Sequence, residues 1–153
     1  MSDLLDLEKS LLPHLGRTAK FMDFYFMDTF NEHGFDLSKE QWLILKVLSI
    51  DDGKMQNDLA FVTNRSKTAL TRLIATMEKK GLVYRVTSKI DKRINHVFLS
   101  DLGKSNFDKS IPIIKQIKNE LQENISQEDI EKTIQVINQV FQNINNKTSA
   151  KKK

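Results

Sequence analysis

The first part of the chain carries hydrophobic residues at helical spacing. Apolar side chains recur every three or four positions from about residue 10 to residue 33, which predicts one long helix. These positions are Leu11, Leu12, Leu15, Phe21, Phe24, Tyr25 and Phe30. Pro13 fits the first turn, where its missing N–H costs no hydrogen bond. Gly34 follows the last turn as a stop signal, because glycine adopts the left-handed conformation without strain.

A second helix has a well-marked beginning. Ser38 and Gln41 stand three positions apart, which is the spacing of a capping box. Leu37 and Trp42 stand where a hydrophobic staple requires apolar side chains. The helix is predicted to end before the glycine-containing turn at residues 51–53.

Two short helices separated by a tight turn are predicted next. Residues 56–62 form the first, although Met55 stands at the N-cap position, where serine or threonine is usual. Ser66 caps the second helix, which covers residues 66–80. Apolar residues recur there at the i, i+3, i+4 and i+7 positions, so one face must pack on the core. That face consists of Leu70, Leu73, Ile74 and Met77.

Beyond residue 82 the hydrophobic period changes from helical to alternating. Val83, Arg85 and Thr87 alternate with Tyr84 and Val86 at a period of two, and an apolar segment returns at residues 97–99 after a polar tip. This pattern predicts a β-hairpin with a basic tip. Two short helices followed by a hairpin is the element order of a winged helix-turn-helix, which we place in residues 36–104.

From residue 105 the hydrophobic spacing is helical again. Ser126 caps the final helix, whose apolar residues follow one another at intervals of four, three, four and three. They are Ile130, Ile134, Ile137, Phe141 and Ile144. This a/d seam is narrower than the apolar face of a core helix, so it predicts packing against another helix. Residues 146–153 are expected to form a disordered tail.

The elements together predict a mainly α fold with a minor β component. The 153 residues are expected to form a single domain. Within it, the helices of residues 1–35 and 105–145 are expected to form a dimerisation region beside the winged helix-turn-helix lobe.

Positive charge is concentrated in one part of the chain. Residues 1–63 contain 6 basic and 11 acidic residues, whereas residues 64–104 contain 10 basic and 3 acidic residues. The net charges are therefore −5 and +7, against +4 for the whole chain. A solvated basic face and a nucleic-acid-binding surface are both compatible with this distribution.

Composition excludes several other classes of protein. The chain has no cysteine, which excludes disulfides, cysteine zinc sites and thiol-based redox sensing. No apolar segment approaches the roughly 20 residues needed to cross a bilayer. The first residues are acidic and lack the basic region of a signal peptide, so we expect a cytoplasmic location.

The sequence contains no recognisable motif of an enzyme. It lacks a phosphate loop, a glycine-rich dinucleotide turn, a His-Glu-x-x-His pair and a nucleophile elbow. The three histidines stand far apart, which argues against a metal-sensing site. They are His14, His33 and His96. We therefore expect neither catalysis nor a bound metal or cofactor.

The polar face of the second short helix predicts contacts with DNA. Thr68 and Arg72 lie one helical turn apart, where they can reach neighbouring base edges in the major groove. Arg65 and Thr71 flank them and complete the major-groove candidates. The candidates for phosphate contacts are Ser66, Lys67 and Lys79 in the helix and Lys89 and Lys92 in the hairpin.

The hairpin tip predicts a second contact. Arg93 is the candidate for a narrow minor groove, where the negative potential is deepest. Asp91 is unsuited to a phosphate-binding tip, but its carboxylate can hold the Arg93 guanidinium in place as a bidentate pair. The alternative is that Asp91 is a turn residue only.

These residues carry a resemblance to a known family. The hairpin is similar to the wing signature of the MarR family of bacterial transcriptional regulators, and the preceding helix is similar to that family's recognition helix and its exit. The matching residues are Asp91, Arg93, Val97, Leu99, Ser100 and Gly103 in the hairpin region and residues 66–73 and 77–83 in the helix. The resemblance extends over about residues 10–145.

The resemblance implies an obligate homodimer on a pseudo-palindromic operator, with one recognition helix and one wing from each subunit. It implies that Arg93 enters the minor groove and that Asp91 orients it. It favours a repressor that a small aromatic effector releases. Phe21, Tyr25 and Trp42 are the candidate pocket residues, although core packing is favoured for most of the aromatic side chains.

A protein-docking adaptor without specific DNA binding is the alternative. Such an adaptor would use the wing or the recognition helix on a protein partner. A docking face should be apolar, whereas Thr68, Arg72 and Lys79 are polar or basic. The composition of this face therefore favours double-stranded DNA as the partner.

Overall fold

The computed structural model of the chain describes residues 6–63 and 66–150. The elements follow the predicted order. They are α1 (Leu11–Glu32), α2 (Lys39–Ile50), β1 (Lys54–Met55), a 3₁₀ helix (Gln56–Leu59), α3 (Ala60–Thr63), α4 (Lys67–Lys79), β2 (Val83–Thr87), β3 (Asn95–Leu99), α5 (Asp101–Leu121) and α6 (Gln127–Ala150). The mainly α fold with a small β component is confirmed. The chain divides into two compact units, one within residues 1–115 and the other within residues 116–153.

The beginning of α2 forms as its sequence predicts. The Ser38 hydroxyl accepts the Gln41 N–H, and the Gln41 side chain accepts the Ser38 N–H, each at 3.2 Å. Leu37 and Trp42, the two staple residues, are both buried. The capping box and the apolar contact together fix where the chain enters α2.

The hairpin is part of a three-stranded antiparallel sheet in the order β1-β3-β2. Tyr84 lies opposite Phe98 in the β2–β3 pair, and Lys54 lies opposite Val97 in the β1–β3 pair. The sequence pattern does not reveal β1, because two residues are too few to show alternation. The His96 ring lies 3.0 Å from the Gly53 carbonyl, which secures the turn before β1 to the wing.

The core of the first unit is built around the apolar stripe of α4. Leu70, Ile74 and Met77 are fully buried, and Leu73 is half-buried. The other completely buried apolar side chains come from α1, α2, the 3₁₀ helix and β3. They are Phe30, Ile44, Leu45, Leu48, Leu59 and Val97. The predicted core face of α4 is thereby confirmed, and the rotation of the helix about its axis is fixed.

The aromatic residues of α1 divide between core and surface. Phe26 and Phe30 are buried and stack with a centroid distance of 4.3 Å. Phe21 and Phe24 are 64% and 53% exposed. The expectation that most of these rings pack in the core is therefore wrong for the single chain, because α1 turns only one of its apolar edges toward α2.

The last helix carries its predicted seam on the surface. Ile134, Ile137, Phe141 and Ile144 are all exposed in the single chain. The expected tail of residues 146–153 is wrong for residues 146–150, which continue α6 to Ala150. No proline or glycine interrupts that segment, and the Thr148 hydroxyl donates to the Ile144 carbonyl. Residues 151–153 lie outside the described residues.

None of the helices in residues 6–63 and 66–150 is long and apolar enough to cross a bilayer.

We predict that Gly103→Ala destabilises the fold. A Cβ at this position would lie 2.0 Å from the Leu82 carbonyl oxygen, which is a backbone atom that cannot move aside. The expected loss is about 1–3 kcal/mol in the free energy of unfolding. Chemical denaturation measures it, and Gly16→Ala is the control, because a Cβ at that position would meet no atom within 4 Å. Equal stability of the two variants would contradict the packing described for Gly103.

Candidate nucleic-acid interface

The fold presents the polar face of α4 to solvent. The Ser66 hydroxyl caps the helix by accepting the Ala69 N–H at 3.2 Å. Every predicted contact residue of α4 that the structure describes is exposed. These residues are Ser66, Lys67, Thr68, Thr71, Arg72 and Lys79. Arg65, the remaining major-groove candidate, lies outside the described residues.

Thr71 has a structural role that the sequence does not indicate. Its hydroxyl donates to the Lys67 carbonyl at 2.9 Å and accepts the Gln56 side-chain N–H at 3.0 Å. The side chain therefore joins the 3₁₀ helix to α4. Thr68 and Arg72 lie on the same face with their side chains in solvent. Thr68 and Arg72 are thus exposed candidates for base contacts, whereas Thr71 braces the helix-turn-helix.

The wing tip holds Arg93 in a fixed orientation. Arg93 Nε donates to Asp91 Oδ1 at 3.1 Å, and Nη2 donates to Asp91 Oδ2 at 3.2 Å. The Arg93 side chain is nevertheless 91% exposed. This is the bidentate geometry that the sequence suggests, and it directs the remaining guanidinium N–H groups outward.

Asp91 is also a turn residue. Its Oδ1 accepts the Arg93 backbone N–H at 2.9 Å, and its carbonyl accepts the Ile94 N–H at 2.9 Å. The two interpretations of Asp91 are therefore not alternatives. The same carboxylate closes the turn and holds the guanidinium, so the backbone and the cation are positioned together.

The wing base is joined to α4 by a second ion pair. Arg85 Nη2 lies 2.5 Å from Glu78 Oε2, and the Arg85 N–H donates to Glu78 Oε1 at 3.0 Å. Lys80 is similarly engaged, with its ammonium 2.8 Å from a carboxylate oxygen of Asp36. Arg85 and Lys80 belong to the basic segment, but their charges serve the fold. Such pairs cannot be predicted from the sequence until the register of the hairpin is known.

Apart from Arg93, the described cations predicted to bind DNA are in a different state. Within the ranges 6–63 and 66–150, none of them forms an ion pair with another residue. They are Lys67, Arg72, Lys79, Lys89 and Lys92, and all are exposed. Their charges are therefore available to an anionic partner, in contrast to those of Arg85 and Lys80.

The predicted effector residues differ in their burial in the single chain. Trp42 is buried, and its indole N–H donates to the fully buried Ser110 hydroxyl at 2.8 Å. This N–H is therefore engaged in the core and does not face a ligand site in the single chain. Phe21 and Tyr25 lie on the exposed side of α1. A cleft of about 250 Å³ elsewhere in the unit is lined by Gly34, Phe35, Asp36, Leu37, Lys80, Leu82 and Asn106.

No group of three or more histidine or carboxylate side chains among the described residues is arranged to hold a metal ion.

We predict that Arg93 lowers the pKa of Asp91. Its side-chain hydrogen bonds to the carboxylate are the larger cause, and its backbone N–H adds to them. The carboxylate, and with it the ion pair, should persist at neutral pH and be lost only as the pH falls through the lowered pKa, below the ordinary range of aspartate. Carboxyl NMR titration measures this, and Arg93→Ala should return the Asp91 midpoint toward the ordinary aspartate value. An unchanged midpoint would contradict the pair.

The sequence is similar to those of known DNA-binding regulators. The sequence profile described as the MarR family matches residues 37–94. The chain is 30% identical over 96 residues to the transcriptional regulator HosA of Escherichia coli O127:H6. The aligned segment covers 63% of this chain and 71% of HosA. It is 31% identical over 110 residues to the uncharacterised regulator YdgJ of Bacillus subtilis. That aligned segment covers 72% of this chain and 67% of YdgJ.

Solved structures share the fold. The S. aureus MepR–DNA complex superposes with a TM-score of 0.81 at 21% identity, covering 88% of this chain and 98% of MepR. The transcriptional regulator SlyA gives a TM-score of 0.79 at 20% identity, covering 90% of this chain and 96% of SlyA. The repressor CouR, bound to a 23-mer DNA duplex, gives 0.80 at 18% identity over 88% of this chain and 94% of CouR. The chain belongs to the MarR family of winged helix-turn-helix transcriptional regulators, which are DNA-binding proteins and not enzymes.

Proposed function

We propose that the chain is a repressor that binds a pseudo-palindromic DNA operator as a homodimer. One observation carries the proposal. The wing, which is the β2–β3 hairpin, presents an arginine that an aspartate holds in place. The neighbouring helix α4, which is the recognition helix in this proposal, presents cations without intramolecular partners among the described residues. Such a surface offers unpaired positive charge to a polyanion, and Arg93 is already oriented before the partner arrives, so less ordering is required at the wing on binding.

The recognition helix supplies the base contacts in this proposal. Arg72 offers a planar fork that matches guanine O6 and N7, and Thr68 offers a hydroxyl and a methyl group. The burial of Leu70, Ile74 and Met77 prevents the helix from rotating, so these two side chains keep their direction. Thr71 contributes by bracing the helix against Gln56.

The recognition helix and the wing supply the phosphate contacts. Ser66 and Lys67 lie at the N-terminus of α4, where free N–H groups and the helix dipole favour an anion. Lys79, Lys89 and Lys92 extend the positive surface. These contacts fix the register of the protein on the duplex but do not read its sequence.

The wing supplies the minor-groove contact. The Arg93 guanidinium uses Nε and Nη2 to hold Asp91, which leaves its other N–H groups for the groove. A narrow A·T-rich minor groove has the strongest negative potential and is the expected site. Asp91 reduces the net positive charge of the tip. In return, it fixes the orientation of the Arg93 guanidinium.

A second copy of the chain is proposed to cover the exposed apolar residues of α1 and α6. The seam on α6 keeps a strict a/d spacing although its side chains are in solvent in the single chain. Burial of such residues against another helix is the largest available source of stabilisation. A two-fold dimer would place two recognition helices about 34 Å apart, which is one turn of the duplex.

Repression is supported by the kind of relative that shares the fold. CouR is a transcriptional repressor bound to a duplex, and MepR is also seen on DNA. A protein that occupies an operator as a compact dimer excludes other proteins from that site. We propose release by a small aromatic molecule that contacts Phe21 and Tyr25, whose rings are exposed on α1.

The docking adaptor is the competing function. The exposed face of α4 carries Arg72 and Lys79 without an apolar patch between them, which suits DNA better than a protein partner. A gel shift on random duplexes at low and moderate salt separates the two functions. An adaptor should shift no duplex at moderate salt, because the non-specific attraction of its basic face for DNA is lost as salt rises.

We predict that Arg93→Ala weakens operator binding by about 1–3 kcal/mol, because the groove contact is lost. Arg93→Lys should recover only part of this loss, since an ammonium keeps the charge but not the planar fork. The measurement is a titration of a duplex selected from a random pool, at several salt concentrations.

Two further variants serve as references in that titration. Lys67→Ala should weaken all sequences alike and reduce the salt slope by about one unit. Lys132→Ala changes an exposed lysine of α6 outside the proposed surface and should leave the affinity unchanged. Unchanged affinity of Arg93→Ala would remove this residue from the mechanism.

We also predict that Phe141→Asp converts a dimer into a monomer. Phe141 is 63% exposed in the single chain, so the charge should spare the fold and act only where a second copy covers the seam. Light scattering gives the mass, and circular dichroism reports the fold. Gln142→Asp adds the same charge at an exposed polar position of α6 and should remain dimeric. A monomeric natural chain, or a dimeric Phe141→Asp, would contradict the proposed interface.

A further inference from the structure

The wing tip carries one apolar side chain among its cations. Ile90 is 99% exposed, and the Arg93 side chain three positions later is 91% exposed. We infer that Ile90 enters the minor groove beside Arg93 and lies against the apolar sugar walls of the groove. The inference rests on the proposed DNA-binding function, and it adds a contact residue that carries no charge.

The turn that presents Ile90 is held by hydrogen bonds. The Ser88 hydroxyl accepts the backbone N–H of Ile90 at 3.2 Å and that of Asp91 at 3.3 Å. The Ser88 N–H donates to the Ile94 carbonyl at 2.8 Å and closes the loop. A β-branched side chain is also stiff at χ1. Ile90 is therefore presented in a restricted conformation, and its contact costs little entropy.

The chemistry of the groove fits this side chain. The walls of the minor groove are formed by deoxyribose C–H groups, which present apolar surface to a side chain in the groove. If Arg93 reaches the floor of the groove, an exposed side chain three positions away on the same short loop lies within reach of a wall. Contact between Ile90 and the wall removes apolar surface of the protein and of the DNA from water. It therefore favours binding without any change in charge.

A narrow groove should strengthen the contact. In an A·T-rich segment the two walls approach each other, and an isoleucine can touch more of the sugar surface there. Ile90 would then act with Arg93 in selecting the groove width at the wing positions. The arginine responds to the potential of the narrow groove, and the isoleucine responds to its shape.

The test compares Ile90→Ala with the natural chain on a duplex selected from a random pool by the natural chain. We expect binding about tenfold weaker at every salt concentration, because the variant loses apolar contact. The salt slope should stay unchanged, since no cation is removed, whereas Lys92→Ala should lower the slope by about one unit. Ile90→Val should recover most of the affinity.

The controls separate this inference from the proposed function. Ile50→Ala removes another exposed isoleucine, at the end of α2, and should bind as the natural chain does. Binding of Ile90→Ala within about twofold of the natural chain, while Arg93→Ala is impaired, would overturn the role of Ile90 alone. Failure of the natural chain to bind any duplex would overturn the proposed function and this inference together. Ile90 and Ile50 are 99% and 77% exposed, so thermal unfolding of Ile90→Ala and Ile50→Ala should match that of the natural chain.

Discussion

The burial of one stripe on α4 is the constraint on which the rest of the interface depends. Leu70, Ile74 and Met77 are fully buried, and a helix with three such anchors cannot turn about its axis. Every polar residue on the opposite side is thereby given a fixed direction. The Glu78–Arg85 pair then joins the same helix to β2, so the wing takes its position from α4 as well.

Two kinds of cation result from this arrangement. Lys80 and Arg85 neutralise carboxylates and hold elements together, whereas Lys67, Arg72 and Lys79 face solvent without a partner among the residues that the structure describes. Arg93 combines both states, because it is paired with Asp91 and yet almost fully exposed. A carboxylate that orients a cation cancels part of the positive charge. It also reduces the side-chain entropy that the cation loses on binding.

Much of the fold and part of the site could be predicted from residue patterns. Caps such as Ser38 and Ser66 act over three positions, so their signal lies within a short segment. The stripe on α4 and the Asp91–Arg93 pair are local for the same reason. By contrast, β1 has only two residues, and the contacts of Trp42 with Ser110 and of Arg85 with Glu78 depend on chain packing or hairpin register. The helical state of residues 146–150 was missed because a polar composition does not distinguish a frayed end from an exposed helix.

In the proposed dimer, a paired surface of recognition helices and wings fits both grooves of one duplex. Selection of bound sequences from a random duplex pool, followed by footprinting of the selected site, tests it most directly. We expect an inverted repeat with half-site centres about one helical turn apart, flanked by protected A·T-rich minor-groove segments. Recovery of unrelated sequences, or of a single half-site without symmetry, would contradict it.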